Sequence, residues 1–96
     1  MEFQHAPGRY FLEDDAGTLI AEVTYQPIDD GQNVVIDHTF VDPSLRGQGV
    51  AGQLVAAVVN EARATGKKIE PLCTFARHEF DTKPEYAGVL RPVPED

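Results

Sequence analysis

Between residues 10 and 41, apolar and polar positions alternate with a period of two, which is the spacing of strands that bury one face. The alternation predicts strands over 10–13, 18–26 and 33–41. Pro27 is expected to end the second strand, because proline cannot donate a hydrogen bond to a sheet ladder. Short turns rich in Asp and Gly separate the three segments, so we predict an antiparallel meander.

The period changes to that of a helix after the third strand. An apolar stripe repeats at i, i+4 and i+8 and predicts an amphipathic helix near 49–65, with Gly66 as its stop. The stripe consists of Val50, Ala51, Leu54, Val55, Val58 and Ala62. A fourth strand is predicted at 68–73. A strand, a helix and a strand in this order favour a right-handed crossover and therefore a parallel pair.

Two short helices are predicted in the remaining sequence. The first covers Thr74–Phe80 with its threonine as the cap, and the second opens at Pro84 with Tyr86 and Leu90 as apolar anchors. Residues 91–96 are expected to form a flexible tail. The predicted fold class is therefore α/β (α+β), with a mixed sheet and helices after it.

Length, composition and charge narrow the function. A chain of 96 residues is predicted to form one minimal domain, 1–96. Eight Lys and Arg against 16 Asp and Glu give a formal charge of −8, which argues against nucleic acid and against an anionic membrane surface. No signal segment and no apolar run of membrane-spanning length is visible. Cys73 is the single cysteine, so neither an internal disulfide nor a CxxC metal site is expected. A soluble cytoplasmic protein is the resulting expectation.

A glycine-rich loop at 41–51 carries the clearest chemical signal. The loop runs into the N-terminus of the predicted helix, where backbone N–H groups and the helix dipole suit a phosphate or pyrophosphate. Gly47 and Gly49 permit a close approach of the backbone, and Arg46 adds a cation. The alternative is an ordinary helix N-terminus, in which the two glycines serve only to cap the helix and bind no anion.

A dinucleotide-binding motif is a second alternative for the same loop. Gly47, Gly49 and Gly52 fit G-x-G-x-x-G, and Glu70 lies 18 residues further on, near the spacing of a ribose-binding acid. Against it, the glycines do not directly follow the strand and the preceding strands are predicted to be antiparallel. The chain is also short for a doubly wound domain.

The same loop resembles motif A of the GNAT N-acetyltransferases, R-x-x-G-x-G/A reached through a V-x-P turn. Arg46, Gly49 and Ala51 fill its fixed positions. More narrowly, the segments His38-Thr39-Phe40-Val41, Pro71-Leu72-Cys73 and Pro84-Glu85-Tyr86 resemble the small YjdJ-like GNAT proteins, related to N-acetyltransferase domain-containing protein 1. The resemblance covers residues 8 to 90, roughly.

This resemblance implies acetyl-CoA as the cofactor. It implies that the loop amides hold the CoA pyrophosphate and that the strand ending at Val41 pairs with the pantetheine arm. The implied cofactor residues are Phe40, Val41, Arg46, Gly47, Gln48, Gly49, Val50 and Ala51. It further implies that this strand and the next one splay apart around the acetyl group. Pro71 agrees, because proline belongs where strand pairing is interrupted.

Cys73 is the candidate nucleophile, since it follows the fourth strand beside the implied splay. A thiol reacts as its thiolate, which a helix N-terminus or an imidazolium favours. The alternative is a small buried apolar residue. Tyr86 is a candidate acid toward the CoA thiolate, although packing is the stronger expectation for it. Phe75 and Phe80 are expected in the core.

His38 is the candidate base or thiolate partner. The period of two places it on the strand face of Ile36 and Phe40, with Asp37 and Thr39 on the opposite face. The alternative is a hydrogen-bonded core histidine.

Together these features predict an acetyl-CoA-dependent N-acetyltransferase of unknown amine acceptor, acting by direct transfer or through acetyl-Cys73. Larger GNAT enzymes carry two helices between their first strands, whereas here only Asp14–Gly17 separates them. A non-catalytic CoA-binding regulatory module is therefore an alternative, and an interaction domain that lost the ligand is a third.

Overall fold

The computed structural model describes residues 2–92. Its sheet has five strands: β1 Gln4–Ala6, β2 Arg9–Glu13, β3 Leu19–Ile28, β4 Asn33–Val41 and β5 Ile69–Pro71. The two α-helices are α1 Val50–Thr65 and α2 Thr74–Thr82, and 3₁₀ turns lie at Asp29–Gly31, Pro43–Leu45 and Pro84–Val89.

The strands lie in chain order across the sheet. β1 to β4 pair antiparallel, and α1 crosses over so that β5 joins β4 in parallel. This is the mixed sheet that the sequence predicts. The short edge strand β1 is not predicted, and β5 is shorter than the predicted 68–73.

The prediction that Pro27 ends the second strand is wrong. Pro27 pairs with Val34, and β3 continues to Ile28. The amide of Tyr25 points towards β2, where it donates to Gly8 O, so the nitrogen two residues later faces the same way. β2 ends before this position, so no strand lies opposite the Pro27 nitrogen and no ladder hydrogen bond is lost.

The core lies between one face of the sheet and the two helices; we call this the inner face. α1 buries the predicted stripe, with Ala51 only partly covered, and ends at Gly66 as predicted. The buried apolar residues are Ala21, Val23, Tyr25, Val34, Ile36, Val50, Leu54, Val55, Val58, Val59, Ala62, Ile69, Ala76, Phe80, Tyr86 and Val89. Phe80 and Tyr86 confirm the expected packing, whereas Leu90 is 36% exposed and Val89 takes the anchoring role.

A polar cluster ties the first strands to α1. The phenols of Tyr10 and Tyr25 both donate to Glu61 Oε1, at 2.9 and 3.1 Å, and the His5 ring stacks on Tyr10 with centroids 4.2 Å apart. Burial raises the pKa of Tyr10 to about 12, and also raises the pKa of Tyr25. The cluster is therefore protonated on both phenols at neutral pH.

A β-bulge interrupts β4 at Asp37. Tyr25 pairs with Ile36 and Thr24 pairs with His38, so Asp37 has no partner of its own on β3. Thr24 Oγ1 donates to Asp37 Oδ1 at 2.6 Å and holds the bulge. An extra residue inverts the alternation of every side chain beyond it.

The gap between β4 and β5 begins just beyond this bulge. Pairing ends at Ile36 and Pro71, and the amides of Leu72 and Cys73 both donate to Ile36 O, at 3.0 and 3.1 Å. The two strands therefore diverge at their C-terminal ends.

The C-terminal segment is fixed to the sheet edge. Arg91 N donates to Ile69 O at 2.8 Å, and the Arg91 guanidinium pairs with Asp29 and Glu70. The predicted tail covers 91–96, and its last four residues, 93–96, lie outside the described range. In residues 2–92, neither helix has the length and apolar character that crossing a bilayer requires.

Candidate functional site

The loop after β4 is shaped by a capped turn. Asp42 Oδ2 accepts hydrogen bonds from the Ser44 amide and hydroxyl, at 3.0 and 2.6 Å, and these bonds hold the pKa of the Asp42 carboxyl below its usual range. The chain then passes through Gly47 at φ 82° into Gly49 at φ 75°, which caps α1. A side chain would be strained in this left-handed conformation, and that is why glycine occupies it.

The N-terminus of α1 presents free donors. Gly49 offers no side-chain cap, the first turn contains no acidic residue, and the first helical bond runs from Gln53 N to Gly49 O. Within residues 2–92, the amides of Val50, Ala51 and Gly52 thus lack an intrahelical or capping acceptor. Three such donors at the positive end of the helix dipole form a site that suits an anion.

A cavity of about 210 Å³ lies against these amides. It is lined by Val41, Leu45, Arg46, Gly47, Gly49, Val50, Ala51, Gly52 and Phe75. Six of the eight residues expected to contact the cofactor line this cavity.

The other two lie outside it, and three lining residues were not predicted. Phe40 is 37% exposed on the far side of the sheet, and Gln48 Nε2 turns back to Ser44 O. Leu45, Gly52 and Phe75 complete the lining. The expectation that Phe75 belongs to the core is wrong in part, because its first-turn position in α2 places it at the cavity wall. No period in the sequence marks that position.

A second groove, of about 440 Å³, continues from the first between α1 and α2. Gly49, Gly52 and Phe75 line both. The groove also holds Glu79, which is only 6% exposed, and Lys83, whose Nζ lies 3.0 Å from Glu79 Oε1. This hydrogen bond raises the pKa of Lys83, so its ammonium is charged at neutral pH.

Cys73 lies at the gap and caps α2. Its Sγ accepts from Ala76 N at 3.4 Å, so the residue that caps the helix is Cys73, not Thr74 as predicted. The thiol is half-buried, and Thr39 Oγ1 lies 4.0 Å from its Sγ.

His38 does not share the face of Ile36, because the bulge at Asp37 turns it outward. Its neighbour Thr39 pairs with buried Val23 and faces Cys73 on the inner side. The predicted faces of His38, Phe40 and Thr39 are therefore reversed relative to Ile36, and His38 is exposed on the opposite side of the sheet. The structure brings Thr39, not His38, beside Cys73.

Tyr86 lies along the α1–α2 groove. It packs against Phe80 with ring centroids 5.3 Å apart, and burial raises the pKa of its phenol. These contacts agree with the packing role expected for it.

The dinucleotide-binding alternative does not fit this site. Glu70 pairs with Arg77 and Arg91 at the sheet edge, at 3.1 and 3.3 Å, and the sheet is mainly antiparallel. Across residues 2–92, no group of three or more His, Cys, Asp or Glu side chains is arranged to hold a metal ion.

Comparisons with known proteins agree with this geometry. Residues 9–89 match the family model described as GCN5-related N-acetyl-transferase. A GCN5-like protein from Staphylococcus aureus is similar in structure, with 34% identity, a TM-score of 0.78, and coverage of 97% of this chain and 90% of that one. The GNAT-family N-acetyltransferase YhbS from Escherichia coli, solved in complex with CoA, shares 32% identity and a TM-score of 0.56 over 64% of this chain and 37% of its own.

A further structure, at lower sequence identity, supports the similarity of fold only. N-acetylglutamate synthase from Neisseria gonorrhoeae, complexed with CoA and N-acetyl-glutamate, has 22% identity and a TM-score of 0.54 over 65% of this chain and 15% of its own. No curated protein matches the chain.

Proposed function

The chain belongs to the GCN5-related N-acetyltransferase family, and on that premise we propose that it transfers the acetyl group of acetyl-CoA to an amine. The observation that carries the proposal is the α1 N-terminus: free amides, no first-turn acid, and a cavity against them. We also propose that the chain is one of the small YjdJ-like members of the family.

In this proposal the loop holds the CoA pyrophosphate. The amides from Gly47 to Gly52 donate to it, since the Arg46 amide already donates to Pro43 O, and Val41 and Phe75 border the path of the pantetheine arm towards the gap. The edge of β4 beyond Ile36 does not pair with β5, so its backbone is available to the pantetheine amides. When bound, acetyl-CoA supplies an activated acetyl thioester.

Two routes lead from the thioester to the acetylated amine. In direct transfer, the amine attacks the carbonyl carbon, loses a proton to a base, and CoA leaves as a thiolate that is then protonated. We propose His38 as that base, because its exposed outward position suits an acceptor that approaches from the side opposite Cys73.

The covalent route uses Cys73. Its thiolate attacks the acetyl carbon, the bond to the CoA sulfur breaks, CoA leaves as a thiolate that is then protonated, and an acetyl-Cys73 thioester forms. The amine then attacks this thioester, loses a proton to a base and releases the Cys73 thiolate. Support comes from the position of Sγ at the start of α2, where the Ala76 amide donates to it.

Calorimetry and intact mass spectrometry on one sample test the proposal. We expect saturable CoA binding, and an acetyl adduct that is absent in Cys73→Ser if the covalent route operates. Binding without any adduct would leave direct transfer as the route, and no CoA binding would refute the proposal.

A non-catalytic CoA-binding regulatory module is the second candidate. It is favoured by the five-residue connection between β2 and β3, in place of the helices that larger relatives insert there. Repeated turnover on any amine would eliminate it as the sole role.

A further inference from the structure

The groove between α1 and α2 contains a buried carboxylate whose partner is a lysine. Glu79 is only 6% exposed, and its Oε1 accepts from Lys83 Nζ at 3.0 Å. Within residues 2–92, no second side chain donates to this carboxylate. A buried carboxylate needs a cation beside it, so Glu79 holds the Lys83 ammonium at the wall of the groove. The lysine side chain itself is 38% exposed and can still meet a ligand.

This ammonium lies close to the N-terminus of α1. A β-carbon added at Gly52 would lie 3.0 Å from Glu79 Oε1, which is the same atom that Lys83 contacts. The groove and the cavity beside the free α1 amides also share lining residues, namely Gly49, Gly52 and Phe75. A ligand with one phosphate at the amides can therefore extend into the groove while it stays in contact with the protein.

Two cations border this continuous space. Of the described residues that line the cavity or the groove, only Arg46 and Lys83 carry a positive charge, one in each. An ammonium has three N–H donors, and in the described part of the chain Lys83 gives one of them, to Glu79. The remaining donors suit a phosphate group, which an ammonium binds as a compact point charge. The groove therefore has the chemistry for a second phosphate, apart from the one at the α1 amides.

The direction of the groove identifies the part of CoA that it suits. The β4–β5 gap lies at the N-terminal end of α2, where Cys73 caps the helix, and Lys83 follows the C-terminal end. In the proposed function the acetyl-pantetheine arm runs towards the gap, so the nucleotide half of CoA runs the other way. That half consists of an adenine base and a ribose with a phosphate on its 3′ oxygen. Phe75 and Tyr86 border the groove with rings that suit the base.

From these observations we propose that Lys83 binds the ribose 3′-phosphate of CoA and makes the site specific for CoA over 3′-dephospho-CoA. The inference rests on the proposed binding of acetyl-CoA and adds the residue that distinguishes between two donors. Glu79 keeps the ammonium at the groove wall, and the 3′-phosphate accepts from its free N–H groups. Contacts to the pyrophosphate are common to both molecules and give no discrimination between them.

Calorimetry with CoA and with 3′-dephospho-CoA, each on the full chain, measures this discrimination. We expect CoA to bind about fivefold more tightly, the size of one partly exposed charge-assisted contact. An ionic strength of about 0.15 M limits longer-range attraction of the additional phosphate charge. Equal affinities for the two molecules would overturn the proposal.

The variant that tests the residue removes both charges of the pair. Loss of Lys83 alone would leave Glu79 buried and unpaired, so the variant is Glu79→Gln/Lys83→Met, which keeps the length of both side chains. Its preference for CoA should fall below about 1.5-fold, because the ammonium that reads the 3′-phosphate is gone. A thermal melt checks that the variant folds. An undiminished preference in the folded variant would contradict the role of Lys83.

Lys67→Met is the matched control. It removes one positive charge beyond Gly66, at the end of α1 opposite the cavity, and Lys67 does not line the groove. Its preference for CoA should stay within about 1.5-fold of that of the unsubstituted chain, because salt screens a charge at that separation. An equal loss of preference in both variants would mean that net charge, not a contact, attracts the 3′-phosphate, and would overturn the proposal.

Phosphorus NMR of bound CoA locates the contact without any substitution. We expect the 3′-phosphate and pyrophosphate resonances both to shift on binding to the unsubstituted chain, and only the pyrophosphate resonances to shift in the double variant. An unshifted 3′-phosphate in the unsubstituted complex would overturn the inference. If both molecules bind equally well, the proposed function stands and the role of Lys83 fails; if neither binds, the proposed binding of acetyl-CoA fails with it.

Discussion

Gly52→Ala separates ligand binding from folding at the α1 N-terminus. Gly52 lies in the first turn of the helix and lines both the cavity and the groove, but it is not part of the R-x-x-G-x-G/A pattern. A β-carbon there would lie 3.0 Å from Glu79 Oε1. The atom it meets is the end of a flexible side chain, so Glu79 can shift by a few tenths of an ångström.

The expected effect on stability is small. Alanine is favoured over glycine in a helix by about 0.5–1 kcal/mol, which offsets the displacement of Glu79 and the disturbance of its 3.0 Å contact with Lys83. For a domain of this size, 1 kcal/mol corresponds to a change in Tm of about 4–8 °C, so we expect Tm to move by less than that. The added methyl group, however, projects into the space proposed for CoA.

CoA affinity should therefore fall at least about tenfold, or 1.4 kcal/mol, measured by calorimetry alongside a thermal melt. Gly88→Ala is the matched control, because its added methyl would meet nothing within 4 Å and lies outside both cavities. An unchanged Kd for CoA in Gly52→Ala would refute the placement of the ligand. A large fall in Tm would instead show that the Glu79 contact is rigid.

Substitutions at three other positions test the remaining parts of the account. Cys73→Ser should retain the α2 cap and CoA binding, whereas Cys73→Ala should lose about 1 kcal/mol of cap stability; equal Tm values for the two variants would contradict this role. Because folding raises the pKa of Tyr10, the phenol adds stability that is complete below pH 10 and is lost as pH rises to about 12. Tyr10→Phe should therefore reduce the fall in the free energy of unfolding, measured in urea, over that pH window. A pH dependence equal to that of the unsubstituted chain would contradict this. Arg91→Met removes ion pairs to Asp29 and Glu70 and should cost about 1 kcal/mol in the same unfolding assay, and no loss would mean that the pairs contribute nothing.

Local sequence signals were enough for much of the fold. The helical period over Val50–Thr65 and the stop at Gly66 depend on contacts within one element, and the structure has both. The alternation over 18–26 predicts a strand that buries one face, and in β3 every second residue from Ala21 to Tyr25 is buried. These features are determined by residues close in sequence, so a period is a sufficient guide.

The errors occur where pairing with another strand decides the geometry. Nothing within Asn33–Val41 marks Asp37 as an extra residue; the bulge appears only from its register with β3. It exchanges the predicted faces of His38 and Thr39, so that Thr39 lies beside Cys73 and His38, the candidate base or thiolate partner, lies on the opposite face. The β3 proline was misjudged for the same reason, since its tolerance depends on how far β2 extends.

Sequence analysis found the part of the candidate site that lies in the loop after β4. The glycine-rich segment contains most of the residues that line the cavity, because a loop that leads into a helix start is formed by consecutive residues. Phe75 and Gly52 come from separate turns of separate helices, and only packing of α2 against α1 brings them together.

The most direct test of the central claim is a multiple-turnover assay with acetyl-CoA and a panel of amines, in which free CoA thiol and acetylated amine are both quantified. We predict equal amounts of the two products, well above one per protein molecule. Saturable acetyl-CoA binding with no more than one acetyl group released per protein would contradict the proposed acetyltransferase activity.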